Sequence, residues 1–101
     1  MSLAQFTLKF TLTARKQLEE LERDKGLEKR LKAVRKTLGL METNLQHPSL
    51  NTHEYKTLKG ARDEKVFAAY TESKTPAAYR IFWHYGPGRY EITVLAITPH
   101  P

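Results

Sequence analysis

Residues 5–12, QFTLKFTL, set Phe6, Leu8, Phe10 and Leu12 against polar neighbours. A period of two predicts a strand with one buried face. Thr13 is then positioned to cap a helix carrying Ala14, Leu18 and Leu21, and Gly26 to terminate it. Leu27, Leu31, Val34, Leu38, Met41 and Leu45 follow in steps of 4, 3, 4, 3 and 4, which predicts a second amphipathic helix with Gly39 as its weak point. So short a link between two helices predicts an antiparallel hairpin packed on the protein's own sheet. Residues 46–65 keep no period, contain Pro48 and Gly60, and read as one long polar loop. Residues 66–72, 78–85 and 90–98 read as strands, the last two joined at Gly86-Pro87-Gly88, a strong turn signal. The predicted order is β-α-α-β-β-β. That is an α+β fold with a helix hairpin on a four-stranded, mostly antiparallel sheet.

A length of 101 residues suits one domain, residues 1–101, with a modest core. No Cys is present, which excludes disulfides and thiolate metal sites and fits the cytoplasm. No apolar run reaches the length of a membrane span. The 17 Lys and Arg outnumber the 11 Asp and Glu, giving a formal charge of +6. The excess is local. Residues 29–65 carry nine basic and four acidic side chains, so five of the six net charges lie on the second helix and the loop after it. A basic helix face beside a basic loop suits a phosphate backbone or an acidic protein.

The usual enzyme signatures are missing. There is no phosphate-cradling Gly loop, no nucleophile elbow, and no pair of His residues at metal-ligand spacing on one helix. The acid, base and anion-binding candidates are His53, Glu54, Lys56, Lys59, Arg80, His84 and His100. Arg80 is the most informative of them, because it interrupts the apolar strand YRIFWHY. Its guanidinium stays charged and holds anions in a planar fork. A buried unpaired cation costs several kcal/mol, so it must meet an anion or open space. Two placements satisfy that: a cross-strand pair with Glu72 or Glu91, or a substrate phosphate over the sheet. A two-residue turn at Pro87-Gly88 would pair Arg80 with Leu95. His100 would then lie roughly 16 Å further along the strand.

The strand-helix-helix-strands order, the basic stretch ending YKTLKG and the strand AYRIFWHY together resemble the RelE/ParE toxin superfamily of bacterial toxin–antitoxin systems. The resemblance spans nearly the whole chain on short motifs. It implies a ribosome-dependent mRNA endoribonuclease that works by 2′-hydroxyl attack without metal or cofactor, and an acidic antitoxin as partner. On the matching positions Arg80 would hold the scissile phosphate. His100, Glu54 and Lys56 would handle protons. Lys36, Lys59 and Arg62 would follow the RNA backbone, and Tyr55 would stack a base. The chain departs from the pattern in having no Lys or Arg in VFAAYTE, read as its second strand, and no helix after the last strand. A ParE-like, gyrase-directed or purely protein-binding member is the alternative that the same resemblance allows.

Overall fold

The computed structural model describes residues 5–73 and 75–100. Strand β1 (Thr7–Phe10) leads into helix α1 (Leu12–Arg23), and helix α2 (Glu28–Thr43) follows. Then come β2 (His53–Lys59), β3 (Lys65–Tyr70), β4 (Tyr79–Tyr85) and β5 (Glu91–Pro99). The five strands form one sheet in the order β1-β5-β4-β3-β2, parallel between β1 and β5 and antiparallel elsewhere. The α+β class holds, with one strand more than expected.

The extra strand is β2, inside the stretch read as loop. Its sequence HEYKTLK lacks apolar alternation because six of its seven side chains are polar or aromatic and it lies at the sheet edge. An edge strand needs no buried stripe; backbone pairing with β3 is enough to hold it. The helix boundaries also shift. Thr11, and not Thr13, caps α1: its hydroxyl accepts from the Ala14 amide at 3.1 Å and donates to the Leu95 carbonyl at 2.8 Å. The helices join through a single 3₁₀ turn, Lys25–Leu27, where the Asp24 carboxylate accepts from the Gly26 amide at 2.8 Å. Gly39 does not break α2, which runs on to Thr43 and stops short of the expected Leu45.

Both helices cover one face of the sheet. Ala14 and Leu21 of α1 and Val34, Leu38 and Met41 of α2 pack on Ala69, Ile81, Trp83, Ile92, Val94 and Ile97. The opposite face carries its own small layer, in which Val66, Ala68 and Phe82 are buried beneath Tyr55, Tyr70 and Leu95. Arg80, two residues before Phe82 on β4, belongs to that uncovered face.

The β4–β5 register decides what stands near Arg80. The connection is a five-residue loop, Gly86 to Tyr90, closed by the Gly86 amide donating to the Glu91 carbonyl at 2.8 Å. A bulge follows, since Trp83 pairs with Val94 while Phe82 pairs with Ala96. The wider turn and the bulge slide β5 along β4, and Arg80 pairs with Thr98 instead of Leu95. His100 thereby comes opposite Ala78, donating its amide to that carbonyl at 2.8 Å. Alternation along β5 then sets Thr98 and His100 on the same face.

Candidate functional site: an aromatic sheet face around Arg80

Two rows of side chains build the uncovered face. Cross-strand partners point the same way, so His53, Ala68, Phe82 and Ala96 form one row and Tyr70, Arg80 and Thr98 the next. The Arg80 guanidinium lies over the Phe82 ring at 4.9 Å and the Tyr55 ring at 5.7 Å from their centroids. Tyr55 and Phe82 meet edge to face at 4.9 Å, so the cation rests on a rigid aromatic floor. Tyr70 stands beside it between two imidazoles, His53 at 5.3 Å and His100 at 5.9 Å between ring centroids. Tyr70, Ala78, Arg80 and His100 wall a cavity of about 270 Å³ with the residues after β3.

Neither carboxylate considered for Arg80 reaches it. Glu72 is held by Arg30 of α2 at 3.1 Å, and Glu91 by Lys9 of β1 at 3.4 Å. Among the described residues no carboxylate forms an ion pair with Arg80, and its buried Nε has no hydrogen-bond partner. Cation–π contact offsets part of the desolvation but leaves the N–H fork unfilled. A planar donor without an anion partner has the chemistry to take up an oxyanion.

The other sequence candidates scatter around this centre. Tyr55 and His100 join Arg80. Glu54 pairs with Phe67, which packs on the helix side, so its side chain points to the face away from Arg80. Lys56 is exposed in the irregular part of β2, and Lys59 stands opposite Lys65 at its end. Strand β2 thus carries two cations, Lys56 and Lys59, where VFAAYTE carries none. Arg62 sits in the tight β2–β3 turn, where its amide donates to Glu64 at 2.8 Å. Lys36 of α2 lines a larger cleft of about 710 Å³ that Tyr70 and Glu72 separate from the Arg80 cavity. His84 is buried under the β2–β3 turn. Its Nδ1–H donates to the Tyr85 carbonyl at 2.7 Å and its Nε2 stands 4.0 Å from Glu64, so it props the turn. The Glu64 carboxyl is held below its ordinary value, first by hydrogen bonds from its own backbone amide and that of Arg62, then by His84.

Tyr70 was not singled out from the sequence, and His53 was one acid/base candidate among seven. The signal that could have joined them was the alternation of His53 and Tyr55 in HEYK, legible only once residues 53–59 are known to be a strand.

No protein-family model matches the chain, and no curated protein matches it significantly. Its backbone nevertheless superposes on solved toxins. A YoeB/ParE toxin from Agrobacterium tumefaciens matches at a TM-score of 0.67 and 11% identity, covering 95% of this chain and 100% of that one. A YoeB dimer from Staphylococcus aureus matches at 0.61 and 11% identity, over 97% and 100% of the two chains. An archaeal RelE–RelB complex from Pyrococcus horikoshii matches at 0.61 and 14% identity, over 94% of each. At such identity side-chain roles do not transfer, but end-to-end superposition of the backbone does define the architecture. The chain shares the fold of these solved YoeB- and RelE-type toxins.

Proposed function

We propose that this protein is the toxin of a type II toxin–antitoxin system, a metal-independent endoribonuclease that cuts mRNA in the ribosomal decoding site. One observation carries the reading: Arg80 is held on an uncovered aromatic face beside His100, without a carboxylate partner among the described residues. That combination suits a phosphodiester flanked by bases. The substrate's own 2′-hydroxyl attacks phosphorus, the P–O2′ bond forms and the P–O5′ bond breaks. The products are a 2′,3′-cyclic phosphate and a 5′-hydroxyl. The guanidinium fork of Arg80 holds the two non-bridging oxygens as their charge grows. His100 exchanges a proton with a bridging oxygen. Tyr55 offers a ring to a flanking base, since single-stranded RNA is gripped by stacking. Lys36, Lys56, Lys59 and Arg62 supply screened attraction to the strand on either side. Glu54, which faces the other way, has no part in this scheme.

The partner fitting the basic α2 and β2–β3 region is an acidic antitoxin segment. Primer extension on translated mRNA, with wild type and Arg80→Ala side by side, tests the catalytic reading. Cleavage by the wild type that the variant loses supports it. A wild type that leaves translated mRNA intact overturns it in favour of a toxin acting by protein binding alone.

A further inference from the structure

We infer that His53 is the general base of the cleavage, acting across Tyr70 from His100 as the general acid; the inference rests on the nuclease reading above. Three features carry it. The first is placement. His53 pairs with Ala68, so it shares the uncovered face with Arg80, one row and two strands away across Ala68, and leans on Tyr70. The second is tautomer. His53 Nδ1 lies 3.1 Å from the Asn51 carbonyl, and a carbonyl only accepts. Nδ1 therefore carries the proton, and in the neutral ring Nε2 keeps its lone pair as the acceptor. The third is how that carbonyl is held. Asn51 has left-handed backbone angles, φ 46° and ψ 43°, and closes the 3₁₀ turn Pro48–Leu50 by donating its amide to the Pro48 carbonyl at 3.0 Å. Leu50 anchors the turn at 1% exposure. A base oriented by a third, fixed group is the arrangement acid–base sites share.

The step balances without a co-reactant. His53 Nε2 takes the 2′-hydroxyl proton as the P–O2′ bond forms. His100, protonated, gives a proton to O5′ as the P–O5′ bond breaks. Arg80 holds the non-bridging oxygens between them. Among the described residues, the charged and titratable groups on this face include Tyr55 of β2, Tyr70 of β3, Arg80 and His84 of β4 and His100 just past β5, with Glu64 of the β2–β3 turn held beside His84. Glu72 beyond β3 is already engaged by Arg30.

The test uses the full chain with an mRNA programmed on bacterial ribosomes. His53→Gln and His53→Ala should each slow cleavage by about 100-fold or more, the usual loss on removing a positioned base. Thermal unfolding should stay at the wild-type midpoint, because His53 is exposed. The wild-type rate should fall at low pH as the base protonates and at high pH as the acid deprotonates. His53→Gln should abolish only the low-pH limb. An mRNA with a bridging 5′-sulfur at the cut has a leaving group that needs no proton. It should rescue His100→Ala and leave both His53 variants slow. If the wild type cleaves while both His53 variants cleave within threefold of it, or if the sulfur substrate rescues them, the base assignment is overturned and the nuclease reading survives. If the wild type cleaves neither substrate, both fall together.

Discussion

Arg80 and Arg30 show how one residue type takes opposite roles in one small protein. Arg30 has a structural pair: its guanidinium donates to both Glu72 oxygens, at 3.3 and 3.1 Å, and to the Pro76 carbonyl at 3.2 Å. Arg80 has rings beneath it and, among the described residues, no anion. Truncating the two should therefore do different things. Arg80→Ala removes no ion pair among the described residues, so the melting midpoint should stay near wild type. The loss of a positioned oxyanion donor should instead lower cleavage by about 100- to 1000-fold. Arg80→Lys should recover little, because a point charge does not replace the two-pronged fork. Primer extension and thermal unfolding on the same preparations check both halves. Unfolding of Arg80→Ala would mark the residue as structural.

At the scale of elements, two connections shape the site. The segment after β3 is tied to α2 through Arg30 and Glu72, whose side chains are 24% and 23% exposed. Arg30→Ala should cost about 1–2 kcal/mol, since the pair is only partly shielded from solvent. It should also speed amide exchange at Thr71 and Ala78, at the two ends of that connection. Equal exchange in the variant and wild type would show that the strand ends alone hold it. The β2–β3 turn depends on Glu64. A carboxyl lowered in the folded state stabilises the fold above its ordinary value, and that contribution is lost as pH falls through the lowered folded value. The midpoint of wild type should therefore decline on acidification more than that of Glu64→Gln. Melting curves taken across the acid range decide it, and parallel curves would remove Glu64 as the source. Gly60 shows how tight this turn is, since a Cβ there would meet the Glu64 carboxylate and come within 3.0 Å of His84 Cδ2.

For the molecule as a whole, the uneven charge is the main fact. Arg30 and Arg35 of α2 are engaged by Glu72 and Glu22, and Arg35 binds its partner at 2.8 Å. Lys29, Lys32 and Lys36 of the same helix form no ion pair among the described residues. An acidic partner covering this surface should dissociate more readily as salt rises, because exposed charges are screened within about 10 Å at 0.1 M salt. If a neighbouring reading frame encodes an acidic protein that binds this chain, calorimetry between low and physiological salt tests this. Affinity that does not change with salt would mean that apolar contacts dominate the interface.

The sequence by itself determined the helix-covered core and the class of fold. The 4-3-4-3-4 spacing from Leu27 to Leu45, most of it within α2, and the alternation of β1 are local signals, and burial on one face is all they encode. It also marked Arg80, since a cation inside an apolar strand needs a physical reason wherever it occurs. Tertiary structure decided the rest. Residues 53–59 become a strand only by pairing with β3, so the His53–Tyr70–His100 cluster could not be read from a stretch without period. Likewise the turn at Gly86–Tyr90 and the bulge at Leu95 set the β4–β5 register, bringing His100 to the mouth of the Arg80 cavity. Each side chain's neighbours across a sheet depend on loop length and register, which are long-range properties of the folded chain. Composition and periodicity carry no record of them.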